Sequence, residues 1–294
     1  MKTLRLGALE VRRVEEQYWK VPEGFFVPHA GAEALAPHRA WLPADSVLPD
    51  GTLVLSMHAF VVRTPHHTVV VDTCVGNDRQ RHYPEWCGLR IDFLGRLRAA
   101  GVTPEQVDYV FCTHFHSDHV GWNTHLVDGR WEPTFPNARY LFHRPEFEHW
   151  TRLPEAALPP AIKDSILPIA EAGLYDLVEG DFALGDHLRL EPTPGHTPGH
   201  CSVHLASQGA EAVITGDMIH HPVQVAHPEW PTRSSCSDPA RAVATRTAFL
   251  QRYADTGVWV LGSHFTPPTA CRVVSGQGGL RPAFAAEPHA RIAR

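Results

Sequence analysis

The feature that most restricts this chain is a set of short apolar runs, each followed within three residues by a histidine or an aspartate. Residues 109–112 (YVFC) run straight into 113–121 (THFHSDHVG), residues 212–215 (AVIT) lead into Asp217, and residues 258–261 (VWVL) lead into His264. Runs of this length and bounding read as strands, so the polar groups arrive together at strand ends along one edge of a sheet system. His114 and His116 stand two apart in an extended segment, which puts both side chains on the same face and aims them at one ion. Asp118 and His119 lie in the turn that follows, within reach of a second ion. His196 sits in a Gly/Pro turn, residues 194–200 (PGHTPGH), where a rigid backbone fixes its imidazole as the third ligand of the first ion. Asp217 follows a buried strand, where a lone carboxylate is costly but one bridging two cations is not. His264 repeats that placement. The set carries the inference; no single member does.

The other strand candidates are 53–62, 68–72, 139–142, 188–190 and 201–205, and the first sixteen residues alternate apolar with polar as a strand does. Helical patterns lie between them. Residues 91–100 place Phe93, Leu94 and Leu97 on one face, with Gly101 as a stop. A second helix runs from about Pro239 to Ala254, with Ser237 or Asp238 as N-cap and Val243, Thr247 and Leu250 along one side. With a helical middle at 145–172 separating two groups of strands, the fold class is α/β (or α+β) and not an all-β sandwich. We expect a single domain over residues 1–294. Segments 18–50 and 220–236, rich in proline and aromatics, are expected as irregular cover, either lids or surface loops packed by their own aromatic side chains, and 275–294 as a tail of little periodicity.

Composition narrows the function. A net charge of −6 without a basic cluster excludes a nucleic-acid partner, because phosphate backbones need Lys and Arg to displace their counterions. No apolar run approaches the roughly 20 residues a membrane span requires, and the start of the chain lacks the charged and apolar regions of a secretory signal. Six scattered cysteines form neither a zinc ribbon nor a disulfide framework, so the expected location is the cytoplasm.

The histidines and aspartates, in this order, resemble those of the metallo-β-lactamase superfamily: an H-x-H-x-D-H motif at His114, His116, Asp118 and His119, a later histidine at His196, an aspartate at Asp217 and a final histidine at His264. The resemblance spans about Val54 to Phe265 and implies an αββα sandwich. It implies that His114, His116 and His196 bind one metal, that Asp118, His119 and His264 bind the other, and that Asp217 and a hydroxide bridge them. Asp72, at the end of strand 68–72, is similar to the family's buried aspartate behind the metal histidines, where it fixes an imidazole's tautomer. The cofactors implied are two divalent ions. Zinc is the default, although manganese, cobalt and iron accept the same ligands.

Asp217 sets the chain apart from the zinc β-lactamases, several of which have a cysteine or no bridging carboxylate there. The full ligand set is similar to dinuclear lactonases and to phosphotriesterases such as methyl parathion hydrolase. One departure is His220: lactonases acting on acyl-homoserine lactones often carry a tyrosine three residues after the bridging aspartate. Two divalent ions, offset by Asp118, Asp217 and a hydroxide, leave about one unit of positive charge, which favours a developing oxyanion. The expected activity is hydrolysis of a small, mostly apolar ester or lactone, the metal-bridging hydroxide attacking, with Asp118 or Asp217 as proton carrier and His220 or His221 polarising a substrate oxygen. Aromatic side chains at Trp19, Phe25, Phe26, Trp41 and Trp230 suit such a small-molecule substrate. Phosphotriester cleavage and hydrolytic dehalogenation use the same parts. A persulfide dioxygenase with one iron and a non-catalytic carrier are the alternatives of other classes, and a glyoxalase-II-like thioesterase ranks below esters. A homodimer formed by the lid segments and the tail is a further expectation.

Overall fold

The structure, a computed structural model, describes residues 3–233 and 235–284. It divides into two compact units, the described residues of Lys2–Gln17 with Met57–Phe182, and those of Tyr18–Ser56 with Ala183–Arg294. One seven-stranded sheet runs in the order Leu4–Leu6, Leu9–Val21, Leu53–Arg63, Thr68–Val71, Tyr109–Phe111, Arg139–His143, Tyr175–Val178. Its last four strands pair in parallel. Val69, Val70, Val71, Val110 and Phe111 are buried, the continuous apolar pattern of strands covered on both faces. The core of the first unit packs Val61, Val70 and Val110 against Phe93 and Leu97 of helix Phe93–Ala99 and against Ile162, Ile166 and Ile169. Leu94 packs partly buried on the same core, as its helical spacing predicts.

The second unit holds another seven-stranded sheet, in the order Ala183–Leu184, Leu188–Pro192, Cys201–Ser207, Ala210–Ile214, Trp259–Leu261, Ala270–Gly276, Gly279–Phe284. Its one parallel pair, Ala210–Ile214 with Trp259–Leu261, is joined through helix Pro239–Tyr253, because parallel neighbours need a crossover. Asp238 caps this helix by accepting the Arg241 N–H at 3.0 Å, with Pro239 in the first turn. The buried stripe is Ala242, Arg246, Phe249, Leu250 and Tyr253, one step round from the expected Val243–Thr247–Leu250 line. Arg246 is the cause: its guanidinium enters the interior and donates to the carbonyls of Met218, Pro228 and Trp230, a charged residue on what sequence patterning treats as the wet side.

All three expected irregular segments contain regular structure, the segment 220–236 in the short helix Val223–Ala226. The strand Leu9–Val21 continues into the first four residues of segment 18–50, and residues 275–284 of the expected tail belong to the hairpin Ala270–Gly276 with Gly279–Phe284. The remainder of that tail lies outside the described residues. No helix among the described residues is long and apolar enough to cross a membrane.

Candidate metal centre

In each unit the polar groups follow the ends of central strands, the side of an open sheet where the chain leaves regular pairing and side chains converge. In the first unit, strand Thr68–Val71 delivers Asp72 and strand Tyr109–Phe111 delivers 113–119. Asp72 is 1% exposed, so its charge must be met by donors, and three meet it. The Thr113 N–H donates to Oδ1 at 2.8 Å, the Thr113 hydroxyl donates to Oδ2 at 3.1 Å, and His119 Nδ1 lies 2.9 Å from Oδ2. The His114 Nδ1 in turn faces the Thr113 hydroxyl at 3.1 Å. Asp72 therefore stands behind two imidazoles, one directly and one through Thr113, and directs both Nε2 atoms away from itself. The rings of His116 and His119 lie 4.6 and 4.1 Å from that of His114.

Tight backbone packing fixes this turn. Thr73 N–H donates to the His119 carbonyl, and the N–H groups of Gly121 and Trp122 donate to the carbonyls of Cys74 and Thr73, each at 2.7 Å. A Cβ on Gly121 would stand 1.9 Å from the Val75 carbonyl oxygen, so only glycine fits. The buried Glu146 accepts the Phe115 N–H at 3.0 Å and the Trp150 indole N–H at 2.7 Å, which sets Trp150 beside His116 with ring centres 5.9 Å apart.

In the second unit, strand Ala210–Ile214 delivers Asp217 and strand Trp259–Leu261 delivers His264. Three imidazoles surround the Asp217 carboxylate: His264 Nε2 at 2.9 Å from Oδ1, and His220 Nε2 and His196 Nε2 at 3.1 and 3.3 Å from Oδ2. The Nδ1 of His264 faces the Ser56 carbonyl at 3.1 Å and that of His196 faces the Cys236 sulfur at 3.4 Å. Gly195, at φ +134°, brings the turn against the start of helix Pro239–Tyr253, where a Cβ would stand 2.3 Å from the Ala242 nitrogen. Burial works against protonating His196, yet Asp217 and Cys236 outweigh it and raise its pKa to about 9 in the absence of a cation. Burial likewise opposes ionising Cys236, and His196 outweighs it, so the thiol falls below its ordinary value. His220 is driven down to about 3 by burial, which exceeds the pull of Asp217. Its Nε2 lies near Oδ2 without the direction of a hydrogen bond, and its Nδ1 makes none.

Among the described residues, two groups have donor atoms all within 4.8 Å of one another: His114, His116, His196 and Asp217, and Asp118, His119, Asp217 and His264. The donor set, imidazole nitrogens with two carboxylates, fits borderline divalent cations. The residues that sequence reasoning passed over stand behind these groups. His200, in the same PGHTPGH turn as His196, accepts the Asp217 N–H on Nε2 at 3.0 Å and has Thr193 at Nδ1 at 2.8 Å. Its place as the second histidine of that turn was the available signal. Cys236 and the Ser56 carbonyl gave none, being distant in sequence from the histidines they touch, and Glu146 acts on the turn through the Phe115 N–H and Trp150.

A family model described as the metallo-beta-lactamase superfamily matches residues 54–264. The chain belongs to the metallo-β-lactamase superfamily. It is 30% identical over 203 residues to an N-acyl homoserine lactonase of a Bacillus species, covering 65% of this chain and 72% of that one. Two solved structures are similar over 98% of both chains: AidC, a dizinc quorum-quenching lactonase in complex with a product, at TM-score 0.79 and 22% identity, and the hydrolase AbOPH, at 0.78 and 24%. At these identities the likeness establishes the fold, and the αββα class expected from the motif order holds for this superfamily member. With its His and Asp groups suited to a dinuclear metal site, the protein is a metal-dependent hydrolase of this superfamily.

Proposed function

We propose that this metallo-β-lactamase superfamily member hydrolyses a small, mostly apolar lactone or ester at a centre of two divalent cations, with N-acyl homoserine lactones as the first substrates to test. The observation that carries this is Asp217, common to both groups of close-set donors. His114, His116 and His196 would hold one cation, Asp118, His119 and His264 the other, and Asp217 both. Zinc is the reading for the metal, in line with the dizinc description of AidC. Such cations, when bound, supply Lewis acidity and bring the pKa of water from about 15.7 towards about 7.

The chain's own residues do the rest. Asp118 and Asp217 are the carboxylates placed to carry a proton as product leaves. His220, fully buried beside Asp217, offers a neutral ring with one N–H and one lone pair, suited to orient a substrate oxygen. Phe26 meets the His220 ring edge-on at 5.0 Å and Trp19 meets Phe26 at 5.8 Å, which gives an acyl chain an apolar wall. The likeness to the N-acyl homoserine lactonase of a Bacillus species supports a lactone as substrate. The scattered cysteines, without the paired spacings of a disulfide framework, support the cytoplasm as the location.

The test is elemental analysis of protein purified without added metal, with His119→Ala alongside, followed by assays on acyl-homoserine lactones, simple esters and phosphotriesters. About two zinc-like ions per chain, fewer in the variant, and turnover of lactones are expected. A single iron unchanged by the variant, or no turnover across the panel, would overturn the proposal.

A further inference from the structure

The imidazoles of the candidate centre differ in what anchors their far nitrogen. His119 is anchored on the Asp72 carboxylate, His264 on the Ser56 carbonyl, and His196 on a sulfur, Cys236 Sγ at 3.4 Å from Nδ1. A thiol is a weak acceptor, so such a contact persists only where the sulfur is held in place. Here it is held: the Thr232 hydroxyl lies 3.0 Å from Sγ, and the two residues after Cys236 are pinned to the histidine turn, Ser237 N–H donating to the His196 carbonyl at 2.8 Å and Asp238 N–H to the Gly195 carbonyl at 2.9 Å. The backbone contacts and the side-chain contact close a small ring between segments forty residues apart.

We propose that Cys236 is a positioning residue, whose sulfur accepts the His196 Nδ1–H and so presents Nε2 to the cation that His196 would share with His114 and His116. The inference rests on the dinuclear reading above and adds to it a sulfur anchor, on a half-buried thiol. Alkylation of Cys236 would replace the acceptor with a bulkier thioether and loosen the same imidazole.

The test compares zinc-loaded wild type, Cys236→Ser and Cys236→Val by competition with a chromophoric chelator and by NMR of the histidine ring N–H protons. Valine removes the acceptor and adds one methyl group; serine keeps an acceptor in the same branch position. Loss of an outer partner of this kind costs about 10–100-fold in metal affinity, so the valine variant is expected to weaken one site by that factor. Its His196 Nδ1–H signal is expected to be lost to solvent exchange, while serine retains the signal and most of the affinity. A valine variant equal to wild type in both readouts, or a serine variant as weak as valine, would overturn the anchoring role. Wild type that takes up no zinc would instead overturn the dinuclear reading, and that is seen before any variant is made.

Discussion

Asp72→Asn tests whether one buried carboxylate organises the first half of the centre. The carboxylate faces donors on both oxygens: the Thr113 N–H on one, and the Thr113 hydroxyl with His119 Nδ1 on the other. An asparagine has one oxygen and one NH2, so whichever way it turns, a donor meets a donor. Facing the amide nitrogen to Thr113 N–H leaves a buried backbone donor unmet; facing it to His119 removes the acceptor that fixes the ring. A hydrogen bond to a charged group contributes about 1.5–3 kcal/mol and an unmet buried donor costs about 1–3 kcal/mol. The two together predict a loss of about 2.5–6 kcal/mol, since Asp72 and His119 are each almost fully buried and water does not replace the lost partner. Metal affinity is expected to fall by about 10–100-fold because the imidazole is no longer oriented. Urea denaturation of the metal-free protein gives the first number and chelator competition the second. An Asn variant within about 0.5 kcal/mol of wild type, with unchanged metal affinity, would refute the claim that Asp72 holds the turn.

Gly121→Ala should destabilise by about 3 kcal/mol or more, since its Cβ would meet immobile backbone at Val75; a melt unchanged from wild type would contradict the packing. His220→Ala should retain about two ions per chain while losing about 100-fold or more in kcat, the size of a lost proton-handling group; equal losses of metal and activity would make it a ligand. His38 and His227 share a contact between their Nε2 atoms at 2.9 Å, which requires one nitrogen to accept. Burial and His227 lower the His38 pKa below its ordinary 6.5, so the native state resists its protonation and stability is lost as pH falls through and below 6.5. Glu229 Oε1, 3.0 Å from His227 Nδ1, takes the N–H of that nitrogen, so a neutral His227 accepts the His38 N–H on Nε2. Between pH 7.5 and 5, thermal melting of wild type should drop further than that of His38→Gln, whose amide keeps the bond at both pH values; parallel drops would remove His38 from the acid response.

Those predictions draw on parts of the molecule that differ in how far the sequence announced them. The central strands were legible because Val69–Val71 and Val110–Phe111 are buried on both faces and leave an uninterrupted apolar run. Asp238 and Pro239 marked a helix start by the same local chemistry that the structure shows. The hairpin Ala270–Gly276 with Gly279–Phe284 was hidden because much of it is exposed, so its burial alternates weakly and the Gly-rich turn read as loose chain. Arg246 misled for the opposite reason: patterning places arginine outside, and only the tertiary structure reveals the three carbonyls that make its burial tolerable.

A similar asymmetry governs the centre. Groups that would touch a cation must carry imidazole or carboxylate, and a strand end offers few positions, so their identity and spacing are written locally into segments such as 113–121. The groups behind them need only present an acceptor at the right point, and any carboxylate, carbonyl, hydroxyl or sulfur satisfies that need. Asp72, Thr113, the Ser56 carbonyl and Cys236 are four solutions to one requirement, and three of them reach their histidine from segments 40, 47 and 208 residues away in the chain. Chemistry with one answer leaves a motif, and chemistry with several answers leaves none. The ordering of the imidazoles by these outer partners is therefore the part of the centre that the motif leaves unspecified, and Cys236 is the member of the group at which a side-chain change removes the acceptor without touching a carboxylate or the backbone.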